Sequence, residues 1–331
     1  MAFTTGTATD WIDLANILRV WMTGTAGWTQ LAWTAGNVNT GGMRLSLRGA
    51  GAAADKQVFL NFQSVFNDAT PAYAWDVRAA MDYNGAVAFG SQLNESAQTL
   101  ISSWKSTITY WFYANDRRLV MVIKVNTVYL SLYAGFFLPW ATPAQYPFPL
   151  YVGGSDGILR PYSSTDSAHT SMVDPSWPLS GSGAGDYGSG KVRSPENTWI
   201  SVANRADGSG NDKPWLYQTT LPFMWPYTTR MQGSGTVKSW IGNAYGSGAT
   251  SDSGAMDNLV ATAQGERMLL PVVLTRAVES AGFGALDGVY FPCGGGGLTP
   301  EQTATIGART FRFFPNIARV SGNDYFAVEE I

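Results

Sequence analysis

Reactive side chains are almost missing from this chain. Its 331 residues include one His, His169, and one Cys, Cys293. A lone cysteine cannot close an intrachain disulfide, and a zinc site needs several His or Cys ligands. A serine triad would have to use His169, which lies in the Ser/Thr/Asp-rich stretch 163–174 and reads as an ordinary loop histidine. Cys293 precedes the run Gly294-Gly295-Gly296-Gly297, and no motif joins it to His169. Leu298-Thr299-Pro300 follows that run instead of Gly-Lys-Ser/Thr, so it is not a phosphate loop. No catalytic residue, cofactor site or metal site is expected, and the chain does not read as an enzyme.

Charge is scarce as well. Asp, Glu, Lys and Arg make up 14% of the chain, against roughly 25% in typical globular domains. The formal net charge is −3, and the 21 basic residues are scattered, the densest clusters being pairs such as Arg117-Arg118. Binding to phosphate backbones needs clustered cations, so general nucleic-acid binding is not expected. Long apolar runs are absent too. The richest stretch, Val128 to Trp140, is too short to span a bilayer and contains Pro139, so no membrane span is expected. The opening Met1-Ala2-Phe3-Thr4-Thr5 carries no basic region and no continuous apolar segment, which reads as synthesis in a cytoplasm without a secretory signal.

What the chain does have is aromatic and glycine content: 13 Trp, 15 Tyr, 16 Phe and 37 Gly. Apolar residues reach 45%, enough to bury a core. Low charge combined with many aromatics predicts a surface partly covered by neighbouring subunits.

One amphipathic helix stands out near the N-terminus. Trp11, Leu14, Leu18 and Trp21 recur at the helical period. Thr7 or Thr9 is the expected N-cap, Asp10 adds negative charge at that end, and Gly24 is the expected stop. Alternating strands follow. They cover Met43 to Arg48, Val58 to Phe62 and Tyr73 to Val77, then a hairpin from Thr107 to Val125 turning at Ala114-Asn115-Asp116-Arg117, then Thr127 to Phe137. Tyr110, Phe112, Leu119, Met121 and Ile123 should share the hairpin's core face. Consecutive strands with short turns predict an antiparallel meander.

Tyr146-Pro147-Phe148-Pro149-Leu150 interrupts this pattern as a stiff strap. Residues 153–258 are rich in Gly/Ser clusters but carry Trp177, Trp199, Trp215, Trp225 and Trp240. A bare linker would not hold five tryptophans, so 153–258 reads as a packed, irregular insertion. Apolar strands return at Arg267 to Thr275, Gly288 to Pro292, Thr303 to Ile306, Arg309 to Phe314 and Asp324 to Val328. The expected fold is mainly β, α+β by strict count. Residues 1–152 and 259–331 form an antiparallel body with the helix, and 153–258 project from it. Tyr146, Phe148, Tyr151, Trp177, Trp199, Trp215, Trp225 and Trp240 are the candidate contact residues.

Asp166, Asp174, Asp186 and Glu196 lie among Trp177, Tyr187 and Trp199. Sugar hydrolases use two carboxyls roughly 5 to 10 Å apart, so polysaccharide cleavage or glycan binding is a reading to weigh. The plainer one is that loop aspartates cap turns. No Asp-x-Asp-x-Asp-Gly calcium loop occurs.

The segment Tyr110-Trp111-Phe112-Tyr113-Ala114-Asn115-Asp116-Arg117-Arg118, with the strand after it, resembles virion structural proteins of tailed bacteriophages and prophages. So do Gly135-Phe136-Phe137-Leu138-Pro139-Trp140 through Leu150, Leu286-Asp287-Gly288-Val289-Tyr290, and Asn323-Asp324-Tyr325-Phe326-Ala327-Val328. The opening Thr4-Thr5-Gly6-Thr7-Ala8 and the turn Gly27-Trp28-Thr29 fit the same pattern. The resemblance covers the two ends and the centre and is weakest over 153–258. It implies a virion component of the tail or baseplate, with the neck or collar as an alternative. Its partners would be other virion proteins and copies of itself, and a host surface glycan if the chain is a receptor-binding module. It implies no catalytic residues.

Overall fold

The computed structural model describes residues 1–53, 55–67, 69, 72–156, 159, 170–173, 189–202, 222–225, 268–276, 281–292, 298–317 and 325–330. In chain order the elements begin β1 (Ala2–Ala8), α1 (Trp11–Gly24), β2 (Thr29–Thr34), β3 (Arg44–Gly49), β4 (Val58–Asn67) and β5 (Ala72–Ala80). Next come β6 (Thr99–Ser103), β7 (Ile108–Ala114), β8 (Arg118–Val125), β9 (Val128–Phe136), β10 (Leu138–Pro139) and β11 (Leu150–Gly153). The chain continues with β12 (Lys191–Arg193), β13 (Trp199–Ser201), β14 (Pro222–Trp225) and β15 (Leu269–Arg276). It ends with β16 (Ala281–Pro292), β17 (Thr303–Ile306), β18 (Arg309–Pro315) and β19 (Tyr325–Glu329).

These strands form three antiparallel sheets. The central one has the order β1-β7-β8-β9-β11-β12-β13. The second is the meander β2-β3-β4-β5-β6. The third runs β14-β15-β16-β19-β18-β17, with β10 paired to β16. The fold is therefore mainly β with one helix, as the alternating patterns predict.

The hairpin β7–β8 explains the layering. Tyr110, Phe112, Leu119, Met121 and Ile123 face one core, shared with Trp11, Leu14 and Leu18 of α1 and with Leu60, Phe62 and Trp75 of the second sheet. That is the predicted face. Trp111, Tyr113, Val120 and Val122 face the opposite way, into a second core with Val289, Phe314 and Phe326 of the third sheet. A strand buried on both faces reads as a continuous apolar run, and both strands of this hairpin do. The central sheet is thus the middle layer of three.

The helix ends at Gly24 as expected, with Trp11, Leu14, Leu18 and Trp21 buried. Its N-cap differs from expectation. Thr7 is still in β1, paired with Thr109. Asp10 is the cap: its backbone is extended, and its Oδ1 accepts the N–H groups of Ile12 at 2.8 Å and Asp13 at 2.9 Å. Thr9 instead donates its N–H to Asp13 Oδ2 at 2.9 Å. A carboxylate satisfies two orphan donors and opposes the helix dipole, which a threonine hydroxyl does not do.

Three short strands are described within 153–258, and each joins a sheet. β12 and β13 extend the central sheet beyond β11, and β14 pairs with β15. Lys191-Val192-Arg193 and Trp199-Ile200-Ser201 are short, but the turn at Ser194 to Thr198 lets them pair. Ser194 donates its N–H to the Thr198 carbonyl, and Asn197 takes a positive φ of 61°. Among the described residues no helix is long and apolar enough to cross a membrane.

Candidate interaction surface

The strap between β9 and β11 is longer than its sequence signature, covering residues 137–149. Phe137 donates its N–H to the Pro149 carbonyl at 2.9 Å, which closes the base of the excursion. Gln145 donates its N–H to the Thr142 carbonyl, and its side chain accepts the Thr142 N–H and hydroxyl. The four prolines 139, 143, 147 and 149 fix φ and remove donors, so the excursion needs few partners to hold its shape.

Its aromatic side chains divide into inward and outward sets. Tyr146 is buried, edge-on to Phe137 and Phe283, and its hydroxyl donates to the Arg193 carbonyl. Burial pushes the Tyr146 phenol well above its ordinary range, with the Glu196 carboxylate adding to the rise and Arg193 opposing it. Tyr151 is fully buried and donates to the Met172 carbonyl at 2.8 Å. Phe148 is half-buried, edge-on to Phe136. Tyr146 and Tyr151 are therefore core residues of this chain and offer no free ring to a neighbour.

The outward set consists of Leu138, 43% exposed, and Trp140, 62% exposed. Two glycines of β16 put them there. Leu138 and Pro139 pair with Ala285 and Gly284, and a Cβ on Gly284 would lie 2.1 Å from the Leu138 carbonyl oxygen. Trp140 donates its N–H to the Phe283 carbonyl at 3.0 Å and lays its ring over Gly282, where a Cβ would come within 2.1 Å of the indole. The strap lies flat on β16 because both positions lack side chains.

A cleft of about 180 Å³ opens beside these residues, walled by Phe136, Phe137, Pro139, Pro143 and Pro147. Ligand pockets run to roughly 300–1,000 Å³, so this cleft suits one inserted side chain better than a whole small molecule. Lys56, Arg117 and Asp287 form its polar rim. Lys56 Nζ donates to the Pro143 carbonyl at 3.2 Å, and Arg117 lies 3.6 Å from Asp116 with both side chains open to water. Apolar walls below a polar rim are the layout of an interface patch.

The other candidate residues fall elsewhere. Trp199 is half-buried in β13, donates its indole N–H to the Asn94 carbonyl at 2.8 Å, and carries the Arg193 guanidinium 5.9 Å from its ring. Trp225 ends β14, its backbone registered with Val273. Trp177, Trp215 and Trp240 lie outside the described residues, as do Asp166, Asp174, Asp186, His169 and Cys293. Glu196 is exposed on the turn between β12 and β13.

Two carboxylates that sequence reasoning did not single out lie together on the outer side of the second sheet. Arg78 Nη2 is 2.9 Å from Asp76 Oδ2. Glu95 accepts Asn61 Nδ2 at 3.0 Å and the Gln92 N–H at 3.2 Å. Burial raises both carboxyls above their ordinary values; Arg78 opposes this at Asp76, and the Gln92 and Asn61 hydrogen bonds oppose it at Glu95. Both groups are engaged in fastening the 81–98 loop to the sheet. Among the described residues no group of His, Cys, Asp and Glu is placed to hold a metal ion.

No family model and no curated protein matches this chain.

Proposed function

We propose that the chain is a structural component of a tailed-bacteriophage particle, in the tail or baseplate region, and that it works by subunit contacts rather than catalysis. The observation that carries this reading is the exposed Leu138 and Trp140 beside a cleft walled by prolines and aromatic rings. Large exposed aromatics next to an apolar recess are anchors for a partner surface. Low overall charge supports the same reading, as does the resemblance of residues 110–150 and of the C-terminal segments to virion proteins.

Mass spectrometry of purified particles tests it. The chain should be present at a fixed ratio to the tail proteins. Its absence from particles that contain the other tail components would overturn the proposal. Recovery with isolated necks instead of tails would move it to the neck or collar. The glycan-binding alternative rests on ring stacking by Trp177, which lies outside the described residues, and by Trp199, which is half-buried with its indole N–H donated to the Asn94 carbonyl.

A further inference from the structure

We infer that β1 is a docking edge at which two copies of this chain pair antiparallel about Thr5, joining their central sheets into one. The edge strands differ sharply in how well they are closed off. β13 has three residues, β14 has four and starts with a proline, and β17 has four. β2 carries an irregularity between Gln30 and Ala32. β6 is met at Leu100 by Asp156. Short length, proline, bulges and covering segments are how proteins block unwanted strand pairing. β1 uses none of them. It has seven residues, Ala-Phe-Thr-Thr-Gly-Thr-Ala, without charge or proline, and all seven register with β7 without a break.

The hydrogen-bond phase shows which groups are free. Asn115 donates its N–H to the Arg118 carbonyl at 3.2 Å, closing the β7–β8 hairpin. Backbone groups alternate in direction along an antiparallel strand. Trp111 and Tyr113 therefore direct theirs at β8, while Tyr110, Phe112 and Ala114 direct theirs at β1. Their register partners Gly6, Thr4 and Ala2 point back at them. Phe3, Thr5 and Thr7 are left with N–H and C=O groups aimed outward. No described residue hydrogen-bonds to those groups, and the side chains of Thr5 and Thr7 are exposed.

A second copy satisfies this edge by symmetry. In a two-fold antiparallel pair the seven residues overlap fully only when Thr5 faces Thr5. Phe3 then faces Thr7, Thr4 faces Gly6 and Ala2 faces Ala8. Outward-directed residues meet outward-directed residues, so the hydrogen-bond phase is correct, giving on the order of six backbone bonds. Threonine opposite threonine and an aromatic opposite a β-branched residue are favourable cross-strand pairs. The seven strand residues carry no charge, so the strands themselves set no like charges face to face. A closed two-fold contact of this kind stops at a dimer, and it holds whether or not the chain belongs to a particle.

Sedimentation of the full-length protein over a concentration series tests the pairing. The wild type should dimerise. Thr5→Lys and Thr5→Glu, each placing like charges face to face, should weaken self-association about tenfold or more. An equimolar mixture of the two variants should recover the dimer, because Lys then faces Glu. Hydrogen exchange adds a readout independent of substitution: the amides of Phe3, Thr5 and Thr7 should gain protection as the wild-type concentration rises. A wild type that stays monomeric at its solubility limit would overturn the inference. So would unaltered dimerisation of both variants, or a mixture no stronger than either variant alone.

Discussion

Arg118 Nε lies 3.2 Å from Asp287 Oδ2, an ion pair that ties the central sheet to the third across 169 positions of sequence. The Arg118 side chain is 1% exposed and Asp287 is 20% exposed. Asn115 Nδ2 also donates to Asp287, and Arg118 Nη2 contacts the Met1 sulfur. Arg118 Nη1 has no partner, so this guanidinium is already short of acceptors. Asp287→Ala should cost about 3–5 kcal/mol, because it leaves a buried charge unpaired. The double variant Arg118→Met/Asp287→Leu should be more stable than Asp287→Ala alone. Urea denaturation of the three proteins measures both.

Trp111 sits between the same two sheets. It is 3% exposed, with its ring 5.2 Å from Phe314 and 6.1 Å from Tyr129. Trp111→Ala should cost about 3–5 kcal/mol through lost burial and the cavity left behind. Tyr110 neighbours it in sequence but faces the other core, where it stacks on Phe112 at 4.4 Å. Losses at the two positions should therefore add within about 0.5 kcal/mol if the cores are independent. Chemical denaturation of Trp111→Ala, Tyr110→Ala and the double variant decides this.

Part of this arrangement is legible in the sequence. The alternation of Tyr110, Phe112, Leu119, Met121 and Ile123 places them on one face because local periodicity is enough. What covers the other face is not local: Trp111 meets Phe314, two hundred residues later in the chain. β1 escapes a hydrophobicity scan because Thr4, Thr5, Gly6 and Thr7 carry no apolar stripe, and its pairing with β7 is set by tertiary context. The strap was identifiable by its prolines, but composition does not say which way an aromatic ring points. Tyr146 and Tyr151 turn inward because carbonyls of Arg193 and Met172 accept their hydroxyls. Trp140 stays outside because Gly282, far along the chain, offers bare backbone beneath it.

The acidic pair gives a pH prediction. Burial raises the Glu95 carboxyl above its ordinary value of 4.5. The folded protein therefore holds this proton more tightly than the unfolded chain. Below 4.5 both states are protonated and the effect is fully favourable; as pH rises through the folded value that stability is lost. Glu95→Gln keeps an oxygen acceptor for Asn61 or Gln92 but cannot ionise. Its stability relative to wild type should be higher at pH 7 than at pH 4. Thermal melts at both values check the sign, and a constant difference would show that the Glu95 carboxyl is not raised in the folded state.

Trp140 separates folding from contact. Trp140 is 62% exposed, and its ring lies over Gly282, where a Cβ would collide with it. Trp140→Ser keeps the N–H that bonds the Phe283 carbonyl and removes no buried side chain. Surface changes of this kind alter stability by about 0.5 kcal/mol or less. If Trp140 is an anchor for a neighbouring subunit, its removal costs binding far more than folding, since exposed anchors of this type carry about 2 kcal/mol or more of an interface. Under the proposed virion role, complementation of a deletion with Trp140→Ser should therefore yield soluble protein with a near-native melting temperature and particles depleted of the chain. Normal incorporation would assign the contact to another surface, and a large fall in melting temperature would make Trp140 a structural residue of the strap.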